Sequence, residues 1–155
     1  MERKKRPTRK RQGRLSMNQD NRLFTFEVYL HSGPITEQFY QKNKTVLRVI
    51  QIPGRRSLAD LHRAIFKAFD REDEHMYEFQ VGGKGPMDPE ARRYVLPMAM
   101  EGPLGDVTPA GTVKTAVGAI GLRQDDVFGY WFDFGDDWWH QISVLDITEG
   151  VPRGR

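Results

Sequence analysis

The sequence predicts an α+β domain: a mixed β-sheet of about five strands, one long helix packed across one face, and a short second helix. Two observations lead to this prediction. In one segment, apolar residues recur at the spacing of a helix. In the segments before and after it in the chain, apolar residues alternate with polar ones, as they do in strands. Consecutive strands around a single helix favour a two-layer domain. The predicted order, β-β-α-β-β-β, is β-grasp-like.

Composition narrows the class of protein. A chain of 155 residues, 38% hydrophobic and 29% charged, is long enough for one domain with its own core. It has no cysteine, which excludes disulfides, thiolate metal sites and cysteine nucleophiles. No apolar run approaches the roughly 20 residues that cross a bilayer, and no apolar segment follows the basic N-terminus. We therefore expect a cytoplasmic protein that does not contact membranes.

Positive charge is concentrated at the N-terminus. Residues 1–14 carry a net charge of +7, which leaves −4 for the rest of the chain. The basic residues are Arg3, Lys4, Lys5, Arg6, Arg9, Lys10, Arg11 and Arg14. Residues 1–21 lack hydrophobic periodicity, so we predict a disordered tail, a domain over residues 22–150 and a short remnant at 151–155. The tail is either an arm that contacts nucleic acid or a solvated extension.

Two strands are predicted before the helix. Residues 23–31 alternate apolar and polar side chains, which indicates a half-buried strand ending at His31. Residues 45–53 are apolar on both faces except at Arg48 and Gln51, which favours a central position in the sheet.

The helix is predicted over residues 57–70. Ser57 at the N-cap and Asp60 three residues later match a capping box. An apolar stripe follows at helical spacing and is expected to lie on the sheet. His62 is assigned to the solvent-exposed side.

The remaining elements follow the helix. Three further strands complete the sheet, and a short strand interrupts the long Pro- and Gly-containing connection over residues 86–111. The short helix is weakened by Gly118 and Gly121. The predicted bounds are 76–81, 126–134 and 138–148 for the strands, 93–96 for the short strand and 112–122 for the short helix.

An acidic turn joins the last two strands and concentrates aromatic, acidic and imidazole side chains. A three-residue loop, residues 135–137, would pair Phe134 with Trp138 and Phe132 with His140. His140 would then face the aromatic core, with Asp133 and Trp139 on the other face. A two- or four-residue loop would reverse the face of His140.

Several roles are open for this turn. Carboxylates and imidazole could hold a divalent metal; no other cofactor is predicted. His140 with a carboxylate could act as a general acid–base, although no nucleophile motif accompanies it. Trp131 and Trp139 could form a surface for a protein partner. Alternatively, the turn simply closes the core. The metal candidates are His75, Glu78, Asp136 and His140, with Asp133 and Asp137 as further ligands; the catalytic candidates are His140, Asp133, Asp136 and Asp137.

Three motifs resemble those of the plasmid pRiA4b ORF-3-like family, whose members are also labelled passenger proteins of an insertion-sequence element. They are SLADLHRAI at 57–65, HMYEF at 75–79, and FDFGDDW at 132–138 with His140 two residues beyond. The resemblance covers about residues 22–150. It implies an α+β domain that originates from plasmids and mobile elements.

The chain departs from the family pattern at three points. Asp70-Arg71 stands where members have a Gly-Trp pair. One histidine of the His-x-His-x-Phe stretch is lost within residues 75–79, which weakens a multi-histidine metal site. Members often continue beyond the point where this chain ends, so we expect that a C-terminal piece is missing.

Taken together, the sequence favours an interaction module with a basic arm for nucleic acid; the alternative is a metal-dependent hydrolase or other enzyme that uses the acidic turn and His140.

Overall fold

The computed structural model describes residues 20–33, 46–83, 88–100 and 109–149. Most of the predicted tail, residues 1–19, and the predicted C-terminal remnant lie outside these ranges. Within them, the elements in chain order are β1 (Leu23–Ser32), β2 (Leu47–Pro53), α1 (Leu58–Ala68), β3 (Tyr77–Val81), β4 (Arg92–Val95), a 3₁₀ turn (Pro97–Met100), β5 (Gly111–Thr112), a second 3₁₀ turn (Val117–Ala119), β6 (Val127–Phe132) and β7 (Trp138–Thr148).

The seven strands form one mixed sheet in the order β2-β1-β7-β6-β3-β4-β5. All neighbours are antiparallel except β4 and β5, which are parallel. The predicted five-strand sheet with one long helix in β-grasp-like order is therefore wrong: the sheet has seven strands and α1 has 11 residues. The pairing of β1 with β7 joins the two ends of the domain. Strand β4 corresponds to the short strand predicted at residues 93–96, whereas the two-residue β5 is too short to reveal a period in the sequence.

Two local predictions also fail. Strand β2 is the end strand of the described sheet, not a central one, since β1 is its only neighbour in the strand order of that sheet. Only one of its faces is buried: Ile50 and Ile52 are buried, whereas Val49 is 58% exposed. The predicted helix over residues 112–122 is instead β5 followed by a 3₁₀ turn of three residues. Gly121 lies beyond that turn with φ +81°, a conformation that an α-helix does not allow.

Helix α1 begins as predicted. The Ser57 hydroxyl accepts a hydrogen bond from the Asp60 amide at 3.0 Å, and the Ser57 amide donates to the Asp60 carboxylate at 3.1 Å. This capping box satisfies two amides that would otherwise lack partners at the helix start. Leu58, Leu61 and Ile65 then pack into the core against the sheet.

The helix divides the sheet into two faces. On the helix-covered face, every second residue of the strands is buried in one aromatic core, including Phe26, Phe79 and Tyr130. Because side chains alternate along a strand, residues between them point to the opposite face, which we call the far face. Gln80, Gly129 and Trp139 belong to the far face.

Candidate functional site

The acidic turn is a five-residue loop, residues 133–137, rather than the predicted three. Phe132 pairs with Trp138, and Tyr130 pairs with His140. Asp133 and Asp137 have φ values of +62° and +57°, and the amides of Asp136 and Asp137 both donate to the Asp133 carbonyl. Aspartate tolerates this left-handed conformation better than most residues. The register differs from the predicted one by two residues, so His140 keeps the predicted face.

Two of the three carboxylates of the turn contact different side chains, and the third is exposed. Asp133 lies 3.5 Å from Nε2 of His75, whose side chain is 47% exposed. Asp137 accepts a 2.8 Å hydrogen bond from the indole N–H of Trp131. Asp136 is exposed. Two of the three acids therefore hold the turn against neighbouring side chains.

His140 is buried and paired on both ring nitrogens. Its Nδ1 lies 3.2 Å from the Tyr130 carbonyl oxygen, and its Nε2 lies 2.7 Å from Nη2 of Arg71. A guanidinium can only donate, so Nε2 accepts and Nδ1 carries the proton. Burial, together with the charge of Arg71, lowers the pKa of His140 to about 3. At neutral pH the ring is uncharged, and its lone pair is occupied.

Arg71 is a half-buried cation enclosed by aromatic rings. Its guanidinium carbon lies 5.0 Å from the ring centres of Phe69 and Phe132 and 5.4 Å from that of Trp138. Burial lowers its pKa. Its Nη1 is buried without a hydrogen-bond partner. Ring faces attract the cation and stand in for the carboxylate that no described residue supplies.

A second histidine lies in the same core. His62 is 3% exposed, contacts the Tyr130 hydroxyl through Nδ1 at 2.6 Å and the Glu74 carboxylate through Nε2 at 2.9 Å, and stacks on Tyr77 with ring centres 3.8 Å apart. Burial lowers the pKa of His62, whereas its hydrogen bond to the Glu74 carboxylate acts in the opposite direction and raises it. Burial raises the pKa of Tyr77 to about 12.

The assignment of His62 to the helix surface is therefore wrong. The signal was present in the sequence, because His62 follows Leu58 by four residues, the spacing of the buried stripe. Arg71, which holds His140, carried no such signal: it lies in the connection after α1, and its contact with β7 is purely tertiary.

The predicted metal ligands lie apart in the structure. Glu78 is on the far face, 1% exposed, and binds Arg93 through both carboxylate oxygens at 3.0 and 2.8 Å. His140 is on the helix-covered face with Arg71 against it. Across the described ranges, no three His, Asp or Glu side chains come together in a way that could hold a metal ion.

Trp131 and Trp139 stack on the far face. They are directly paired across β6 and β7, with ring centres 4.8 Å apart and planes 7° from parallel. Trp139 is only 9% exposed, whereas Trp131 is half-buried. Trp131 is therefore the more exposed ring of the pair.

A cavity of about 360 Å³ lies on the far face beside this stack. Gly129 forms part of its floor, and Gln80 and Gln141 are the residues directly paired with Gly129 on the two neighbouring strands. Trp139, Val127 and His31 also line it. This site was not predicted from the sequence, although a glycine inside a strand often marks the close approach of a ligand or another backbone.

Comparison with known proteins decides the family. Residues 34–154 match the family model described as plasmid pRiA4b ORF-3-like protein. The chain belongs to the plasmid pRiA4b ORF-3-like family. This confirms the resemblance drawn from the three motifs. None of the curated proteins matches the chain significantly.

A solved structure supports the fold. A protein of unknown function from Methanosarcina mazei Go1 superimposes with a TM-score of 0.63 at 22% identity, over 86% of this chain. This chain spans 65% of the length of that protein. At this identity the likeness concerns the fold alone. In the described ranges, α1 and the 3₁₀ turns are too short or too polar to cross a membrane.

Proposed function

We propose that the chain is an interaction module of mobile-element origin whose basic N-terminal segment contacts nucleic acid in the cytoplasm. The observation that carries the proposal is the segregation of charge: +7 in residues 1–14 against −4 elsewhere. An acidic body repels phosphates, so attraction to nucleic acid is confined to the segment. Lys and Arg bound to phosphates release counterions, which favours binding at low salt.

The geometry of the domain supports a module rather than an enzyme. The best catalytic candidate, His140, accepts a hydrogen bond from Arg71 and is 2% exposed. Its pKa of about 3 is far from the value near 7 that suits a general acid or base. Glu78 is likewise engaged by Arg93.

The test measures nucleic-acid binding by fluorescence anisotropy with labelled DNA and RNA at several salt concentrations. We expect the intact chain to bind with a log–log salt slope of up to about −7 for duplex DNA, since eight phosphates contribute about −0.9 each. Replacing the eight basic residues of 1–14 with glutamine should abolish binding.

The matched control is Arg63→Gln with Lys67→Gln, which removes two exposed cations from α1 and should leave binding unchanged. Equal binding by the glutamine-substituted and intact chains would overturn the nucleic-acid proposal. The module proposal fails, in favour of the metal-dependent hydrolase, if the purified chain contains one equivalent of metal that His140→Ala and Asp136→Ala each remove.

A further inference from the structure

The far-face cavity has the properties of a binding site for a small uncharged ligand. Its volume of about 360 Å³ falls in the range of ligand pockets, roughly 300–1,000 Å³. None of the described residues that line it is Lys, Arg, Asp or Glu. The Glu78 carboxylate, which accepts a hydrogen bond from the lining residue Gln80, is paired with Arg93. Among these described lining residues, a charged ligand would find no counter-charge.

We propose that this cavity binds an uncharged flat heterocycle that carries hydrogen-bond donors and acceptors on its edges, the chemistry of a nucleobase. Such a ligand is not part of the nucleic-acid contact proposed for residues 1–14, which involves phosphates. The heterocycle binds to the folded domain, so its binding and the binding of nucleic acid by residues 1–14 can be tested separately.

The floor of the cavity explains the preference for a flat ring. Gly129 lies within β6, between paired strands on both sides, and a Cβ added there would meet no atom of the described residues closer than 3.8 Å. The strand therefore has space for a side chain and lacks one. A ring can lie against the backbone in that space, next to the indole of Trp139. Stacking on aromatic side chains suits any base because every base has a π-face.

The edges of the cavity explain the preference for donors and acceptors. Gln80 and Gln141 flank Gly129 and are about 10 Å apart, two strand spacings, which leaves room for one ring system between them. The Gln80 amide is oriented by a 2.6 Å hydrogen bond to Glu78. The Gln141 side chain forms no hydrogen bond within the described residues. The Gln141 carboxamide offers both a donor and an acceptor to a ligand.

The experiment titrates the full-length chain with adenosine, guanosine, cytidine and uridine, followed by tryptophan fluorescence and by backbone amide NMR shifts. We expect at least one nucleoside to bind with Kd below about 1 mM and to shift the amides of residues 128–130 and 139–141. The 5′-monophosphate of that nucleoside should bind no more tightly. A short single-stranded oligonucleotide of the same base distinguishes a free nucleoside from a base within a strand.

Two variants test the site. Gly129→Val fills the space above the floor with a side chain that suits a strand, and it should weaken binding at least tenfold. Gln141→Leu keeps the volume but removes the amide, and it should weaken binding about tenfold, the cost of one to two hydrogen bonds. The control, Gln51→Leu, makes the same change on exposed β2 and should have no effect.

Three results would overturn the proposal: no binding by any nucleoside, equal binding by Gly129→Val and the unmodified chain, or a monophosphate that binds ten times more tightly than its nucleoside. The chain with glutamine at the eight basic positions of residues 1–14 should still bind the nucleoside. Nucleoside binding by this variant therefore distinguishes an error in the nucleic-acid proposal for residues 1–14 from an error in the ligand proposal for the far-face cavity.

Discussion

The two faces of the sheet use polar residues in opposite ways. On the helix-covered face, His62 and His140 are buried and Arg71 is half-buried. Their hydrogen bonds go to protein groups: Tyr130, Glu74 and, between Arg71 and His140, each other. On the far face, carboxamides flank a glycine and line a cavity.

The difference shows how residue chemistry misleads without its surroundings. Histidine and aspartate in a short acidic turn suggest catalysis, yet burial lowers the pKa of His140 and Arg71 occupies its lone pair. Gln80, Gly129 and Gln141 suggest nothing individually. They become a candidate site only because three strands bring them side by side.

The largest expected difference between the faces is in stability. Val28→Ala on β1 removes a fully buried side chain from the helix-covered face and should lower the free energy of unfolding by about 2–3 kcal/mol. Val49→Ala, on the paired strand β2, removes a 58% exposed side chain from the far face and should change it by less than about 0.5 kcal/mol. Urea denaturation measures both, and similar losses would mean that the far face is also covered.

An effect of intermediate size is the pH dependence from His140. Its pKa of about 3 lies below the unfolded value of about 6.5, so the unfolded chain binds the proton more readily. Stability should therefore be retained above pH 6.5 and fall as the pH drops toward 3, by up to about 1.4 kcal/mol per pH unit. Denaturation between pH 6.5 and 5 should show this slope, and His140→Asn should reduce it. A ring that titrates above pH 6 by NMR would contradict this.

The smallest expected effect compares two glycines. Gly129→Ala should raise the free energy of unfolding by about 0.5–1 kcal/mol, because glycine weakens a strand and the new methyl has space. Gly33→Ala should lower the free energy of unfolding, since the new Cβ would clash with the Trp138 ring. Thermal denaturation distinguishes the two. Destabilisation by Gly129→Ala would mean that the cavity is closed by a neighbouring segment.

Local patterns in the sequence were informative about elements. The alternation of β1 and β7, the capping box at Ser57 and the core-facing position of His140 all follow from residues within a few positions of one another. The family also followed from three short motifs. The roles predicted for the turn residues and for the Trp131–Trp139 surface stay predictions.

The sequence by itself determined the α1 boundary, the longest strands, the family and the segregation of charge, because each depends on neighbouring residues or on composition. Only the tertiary structure decided the seven-strand order, the edge position of β2, the Arg71–His140 contact and the cavity over Gly129. These depend on pairings between distant segments, β1 with β7 above all. No local period encodes which strands become neighbours, since that choice depends on burying the whole core at once.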